Sequence, residues 1–228
     1  SYASSFGKTD FDAATTRVYQ QMLASYDKIT VREDSAVQML ESWGAKNCYG
    51  QVLDPTLLLR ADEWIDLLVY EEMQIKYASQ KYILVYQIHN DRQLSSYALR
   101  LAAHTGLKLL RVNPFMHQVH RGGKFVLCPD VTEFLSLIKN ATYIVTDSFH
   151  GTCFSLTFEK QFIEVLPNNT TGTRNQSILA LTGLSNRIVY DFDDFSIINR
   201  MINYQPVREI LAKERGRSVK MLKCLLNS

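Results

Sequence analysis

The feature that most constrains this chain is the run from Ala141 to Leu166. Tyr143-Ile144-Val145-Thr146 is short, apolar and β-branched, the pattern of a buried strand. Asp147-Ser148 breaks it. From Phe149 the apolar positions Phe149, Cys153, Leu156 and Phe158 follow a helical rhythm, and Gln161 to Leu166 reads as the next strand. Strand, tight turn, helix and strand make a βαβ unit, which demands a parallel sheet and a right-handed crossover. In open parallel sheets ligands bind beyond the carboxyl ends of the strands. Asp147, Ser148, His150, Gly151 and Thr152 occupy that position. Gly151 would let a ligand approach the backbone, the first helical N–H groups favour an anion, and a histidine there can exchange a proton near neutral pH. The same Asp and Ser also suit a plain helix cap, and both readings stay open at this point.

The same grammar extends along the chain. Asp12 opens an expected helix to about Tyr26, and Ile29-Thr30-Val31 is a strand ending at Arg32. Asp34 or Ser35 caps a helix through Trp43, and 47–53 is a further strand closed by Asp54-Pro55. Arg32 thus lies just past a strand end, where it contacts either a ligand or the adjacent Glu33 or Asp34. The later part of 56–70 is expected to be helical. Beyond it come strands at 82–88, 107–112 and 124–128, helices at 95–105 and 131–140, and a basic loop at 115–124. A polar, mobile loop is expected at 167–173, then a helix led by Arg174, a strand at 186–190 and a helix reaching about Tyr204. A last helix covers 206–226.

Several stretches resemble the polysaccharide pyruvyl transferase family. They are Val145-Thr146-Asp147-Ser148-Phe149-His150-Gly151-Thr152, Ser4-Ser5-Phe6-Gly7, Val31-Arg32-Glu33, Leu53-Asp54-Pro55-Thr56-Leu57-Leu58, Glu133-Phe134-Leu135 through Asn140-Ala141, and Arg174 with Ser177-Ile178-Leu179. They stand in the family's order over about residues 1 to 190. The resemblance implies an α/β fold of Rossmann-like parallel sheets with flanking helices, similar to the two-domain GT-B glycosyltransferases. It also implies transfer of a pyruvyl group from phosphoenolpyruvate to a pair of glycan hydroxyls as a ketal. Phosphoenolpyruvate is then the donor substrate, no separate cofactor or metal is expected, and the acceptor is a glycan or lipid-linked oligosaccharide of a surface polysaccharide. His150 becomes the general acid, and Asp147 its orienting partner or a base. Arg32, Ser148, Gly151, Thr152 and Arg174 become substrate ligands, because a carboxylate and a phosphate call for cations and oriented N–H donors.

The chain opens on Ser1 inside one of these motifs, so the resemblance implies a preceding sugar-binding portion. Residues 1–60 then read as the remnant of an N-terminal domain with its connector, 61–204 as a donor-binding Rossmann-like domain, and 205–228 as a C-terminal helix. A net charge of +2 argues against a nucleic-acid binder. No apolar run approaches the roughly 20 residues of a membrane helix. Four scattered cysteines without metal spacing read as reduced thiols, which places the protein in the cytoplasm or at the inner face of the membrane. Two other functions share these features: a GT-B glycosyltransferase using a nucleotide sugar, and a non-catalytic glycan-binding module. A dinucleotide fingerprint is absent, since Gly122-Gly123 opens no helix.

Overall fold

The computed structural model describes residues 1–67, 76–167 and 172–227. Residues 68–75 and 168–171, where the sequence predicts a helix end and most of the polar loop, lie outside the described residues; the described part of the first predicted helix is α3 (Ala61–Asp66). The chain divides into two compact units. The first comprises residues 1–58, the described residues 172–184, and 205–227; the second comprises 59–167 and 185–204. Where the sequence reading runs one domain from 61 to 204, residues 172–184 group instead with the first unit.

The second unit is a five-stranded parallel sheet ordered β5-β4-β3-β6-β7, formed by β3 (Tyr82–Tyr86), β4 (Lys108–Asn113), β5 (Lys124–Leu127), β6 (Tyr143–Thr146) and β7 (Gln161–Glu164). Alternation within β3 decides the layers. Ile83 and Val85 pack on Leu94, Tyr97, Ala98 and Leu101 of helix α4 (Arg92–Thr105). Tyr82 points the other way and donates its hydroxyl to the Leu137 carbonyl of α5 (Val131–Asn140). Each such buried side chain contributes about 1.5–3 kcal/mol of hydrophobic stabilisation. Helix α4 begins at Arg92 because Asp91 accepts from the Gln93 and Leu94 amides, and it ends at Gly106 with φ 69°. The expected helix start at Ser95 therefore moves to the Asp91 cap. The basic loop is tied down by Arg121, which donates to the Asp91 carbonyl and the Ser95 hydroxyl.

The chain from 185 to 203 departs from expectation. The strand predicted at 186–190 is a 3-10 turn (Ser185–Arg187) with a single bridge from Ile188 to Glu164, and the helix before Tyr204 is only a 3-10 turn over Ser196–Asn199. Fully buried Arg187 is the reason. Its guanidinium donates to the carbonyls of Phe162, Ile197 and Arg200, an arrangement that replaces regular pairing.

In the first unit β1 (Ile29–Val31) pairs in parallel with β2 (Cys48–Gln51) across helix α2 (Asp34–Ser42). Ile29, Val31, Ala36 and Leu40 form the core, and Phe6 and Trp43 pack against it. Helix α1 spans Ala13–Leu23, capped by Asp12. The Ser177 hydroxyl of α7 (Thr173–Leu181) accepts from the Asp34 amide and Gln51. Helix α8 (Tyr204–Leu226) contributes Ser218, which accepts from the Leu53 amide, and Arg215, which donates to the Leu57 carbonyl. Among the described residues no helix is long and apolar enough to cross a membrane.

Candidate functional site

The strand order places a topological switch point between β3 and β6. From β3 the chain proceeds outward through β4 and β5, and from β6 it proceeds the other way through β7. Crossovers of opposite direction leave a crevice at the carboxyl ends of those two central strands. Register pairs Tyr86 with Thr146, so the residues that follow each strand, 87–89 and 147–150, meet there.

Helix α6 (Phe149–Thr157) rises from this edge. Ser148 caps it, accepting the Gly151 amide at 3.3 Å, and its carbonyl accepts the Thr152 amide at 3.0 Å. Of the two roles open for Asp147-Ser148, capping falls to the serine. His150 stands exposed in the first turn, its ring 5.6 Å from that of Phe149. The structure places Gly151 and Thr152 in the first turn of this helix. Their amides are engaged inside the helix. Gly151 faces protein, not open space: a Cβ there would lie 2.3 Å from Thr146 Oγ1 and 3.1 Å from the Tyr86 ring. Its hydrogen is what lets α6 sit directly on β3 and β6. Fully buried Thr152 donates its hydroxyl to Glu164 Oε2 at 2.5 Å.

Asp147 is 2% exposed and accepts from two backbone amides, Ile88 to Oδ1 at 2.7 Å and His89 to Oδ2 at 3.0 Å. The imidazole set against it is that of His89, whose Nδ1 lies 3.3 Å from Oδ2. Burial pushes Asp147 above the ordinary carboxylate range. The two amides and the His89 ring pull the other way without cancelling it. Tyr86, beside Ser148, is likewise raised by burial. His89 escaped the sequence reading because its chain neighbours carry no motif. The available signal was its place just beyond an apolar strand, in a sheet where such positions converge.

Arg32 and Arg174 belong to the first unit, while Asp147, Ser148, His150, Gly151 and Thr152 belong to the second. The carboxylate that pairs with Arg32 is Asp54, beyond the next strand, in place of the adjacent Glu33 or Asp34. Asp54 is buried, which raises its pKa, but the Thr56 hydroxyl and amide and the Arg32 guanidinium outweigh that and hold the carboxyl below its usual range. Glu33 is committed elsewhere. Its Oε1 accepts from the Ser5 hydroxyl at 2.8 Å and from the Phe6 and Gly7 amides at 3.0 Å, fixing the first family motif on the second. The Arg174 guanidinium lies beside Gly7, whose added Cβ would come within 3.9 Å of it. Among the described residues no three His, Cys, Asp or Glu side chains converge as metal ligands do.

Solved structures of similar fold include two UDP-GlcNAc 2-epimerases. For the protein from Neisseria meningitidis, bound to UDP-GlcNAc, the TM-score is 0.61 at 13% identity, over 97% of this chain and 68% of that one. For the protein from Methanocaldococcus jannaschii, in complex with UDP-GlcNAc and UDP, it is 0.55 at 15% identity, over 86% and 61%. A third is MnaA of S. aureus in a structure with UDP, at 0.54 and 18% identity, over 86% and 53%. The chain therefore spans between about half and two thirds of the length of these structures, and the likeness establishes a Rossmann-like, GT-B-like fold. Among curated protein sequences none matches. The family model for polysaccharide pyruvyl transferases matches residues 1–170, about three quarters of the chain and all but one of the six motif stretches, and the chain belongs to the polysaccharide pyruvyl transferase family.

Proposed function

We propose that the protein transfers a pyruvyl group from phosphoenolpyruvate to a hydroxyl pair on a surface-polysaccharide sugar, forming a ketal. The observation that carries this reading is His150: an exposed imidazole in the first turn of a capped helix, at the switch point of a parallel sheet, inside the family's own motif. The chemistry needs a proton delivered to C3 of the enol, which leaves a cationic C2 open to a sugar hydroxyl. A positioned imidazole suits that delivery near neutral pH and is typically worth about 10²–10⁴-fold. The positive end of the α6 dipole favours the anionic donor in the same place. Arg32 and Arg174, which belong to the first unit, are further cations carried by the family motifs, and the variants below test them as ligands.

The test is calorimetric titration of phosphoenolpyruvate, with phosphate release followed after addition of a methyl hexopyranoside. Saturable binding, weakened in His150→Ala and in Arg32→Ala or Arg174→Ala, is the expected result, with phosphate release slowed about 10²-fold or more in His150→Ala. A second reading, a glycosyltransferase or epimerase acting on a nucleotide sugar, draws on the fold shared with proteins solved with UDP or UDP-GlcNAc. Saturable binding of UDP-GlcNAc with none of phosphoenolpyruvate would establish that reading and end the first.

A further inference from the structure

Ketal formation needs more than one proton-handling group. Two sugar hydroxyls each lose a proton, the enol carbon gains one, and the departing phosphate gains one. An imidazole at position 150 that has protonated the carbon can take back one hydroxyl proton, and the other hydroxyl proton still needs a carrier to the departing phosphate.

The structure holds a second imidazole at the same strand ends. His89 follows β3 as His150 follows β6, and those two strands are hydrogen-bonded neighbours on either side of the switch point. Its Nδ1 is buried against Asp147, while its side chain is 34% exposed, so the accessible edge of the ring is the one away from the carboxylate. Asp147 is itself fixed by the Ile88 and His89 amides, with both oxygens engaged. A carboxylate held on backbone donors and set behind Nδ1 selects the tautomer that carries its proton on Nδ1 and leaves Nε2 as a base. It also stabilises the imidazolium once Nε2 is protonated. At 3.3 Å the Nδ1–H is not aligned on Oδ2, a looseness common in sites without substrate. Resting on the pyruvyl-transfer reading, we infer that His89 is the base that takes the proton of the attacking hydroxyl and passes it to the departing phosphate, and that Asp147 is its positioning residue.

The protons balance. His150 gives its proton to C3, which becomes the methyl group, and the first hydroxyl oxygen bonds to C2 as its proton moves to His89 Nε2. The C2–O bond to phosphate then breaks, and His89 returns that proton to the phosphate oxygen. The second hydroxyl closes the ketal at C2 and its proton restores His150. One phosphoenolpyruvate and one diol become one ketal and one phosphate, with both imidazoles as they began.

The experiment compares wild type, His89→Gln and Asp147→Asn, with folding checked by circular dichroism. Phosphate release is measured with phosphoenolpyruvate and a methyl hexopyranoside, and phosphoenolpyruvate affinity by calorimetry. The expected result is a fall in kcat of about 10²-fold or more in His89→Gln, with affinity changed less than about threefold. In Asp147→Asn kcat falls as well. Independently of activity, ¹⁵N NMR of the imidazole nitrogens should show His89 as the Nδ1–H tautomer in the wild type and as a mixture in Asp147→Asn. A wild-type Nε2–H tautomer, or one indifferent to Asp147→Asn, overturns the positioning role. Unchanged kcat in His89→Gln beside an inactive His150→Ala overturns the base while leaving pyruvyl transfer standing. A wild type that releases no phosphate overturns the reading itself, and this inference with it.

Discussion

Each unit buries an aspartate just past a strand end, and the two are used in opposite ways. Asp54, beyond β2, closes on a guanidinium and on Thr56, and its charge is favoured by the fold. Asp147, beyond β6, meets two backbone amides and a half-buried imidazole, and its charge is disfavoured by burial. A cation that is always charged makes a fixed strut. An imidazole beside a buried carboxylate makes a different kind of pair, without a permanent charge to hold the carboxylate ionised. The comparison teaches that burial of a carboxylate says little about its role until its partner is known.

The comparison can be broken first at the strut. Asp54→Ala leaves the largely buried Arg32 without this carboxylate and should cost about 3 kcal/mol, read as a lower urea midpoint at unchanged slope. A loss below about 1 kcal/mol would show that the pair is not a strut. Next, Gly151→Ala forces a methyl group onto Thr146 and Tyr86 and should cost about 2–3 kcal/mol, whereas Gly216→Ala, in open space on α8, should gain about 0.5–1 kcal/mol. Equal effects at the two glycines would remove the close approach of α6 to the central strands from the account. Asp147→Ala strands the Ile88 and His89 amides and should cost about 2 kcal/mol; little loss would mean that water replaces the carboxylate.

The smallest effect is the most diagnostic. Asp54, with a folded pKa below the ordinary 3.8, stabilises the protein above that value, and the contribution is lost as pH falls through the folded pKa. Asp147, with a folded pKa above 3.8, has the opposite sign. Its ionisation destabilises the fold as pH rises from 3.8 through the folded value, so wild type should improve relative to Asp147→Asn as the solution is acidified across that window. Urea unfolding of wild type, Asp54→Asn and Asp147→Asn between pH 3 and 6 checks both. A tenfold difference in proton affinity between folded and unfolded chains appears there as about 1.4 kcal/mol of stability. Parallel curves for the two variants would put both aspartates in the same class.

The βαβ grammar was legible in the sequence because it is local. β-branched runs and the Asp12 cap announce elements through the hydrogen bonds and dihedrals of a few consecutive residues. Such signals placed His150 at a strand-to-helix turn and carried the family motifs. They failed where a side chain answers to a distant stretch. Arg187 abolished an expected strand by taking carbonyls from 162, 197 and 200. Glu33, at the N-cap of α2 where the sequence suggested Asp34 or Ser35 as the cap, turned back to hold residues 5–7.

The sequence by itself determined most of the elements, the parallel sheet and the imidazole at the start of α6. Only the tertiary structure set Asp147 against His89, 58 residues away in the chain, and packed Gly151 against Thr146 and Tyr86. Strand order explains the division. Periodicity reports which face of a strand is buried, but which strand ends become neighbours follows from how the whole sheet assembles, and no short run of residues encodes that.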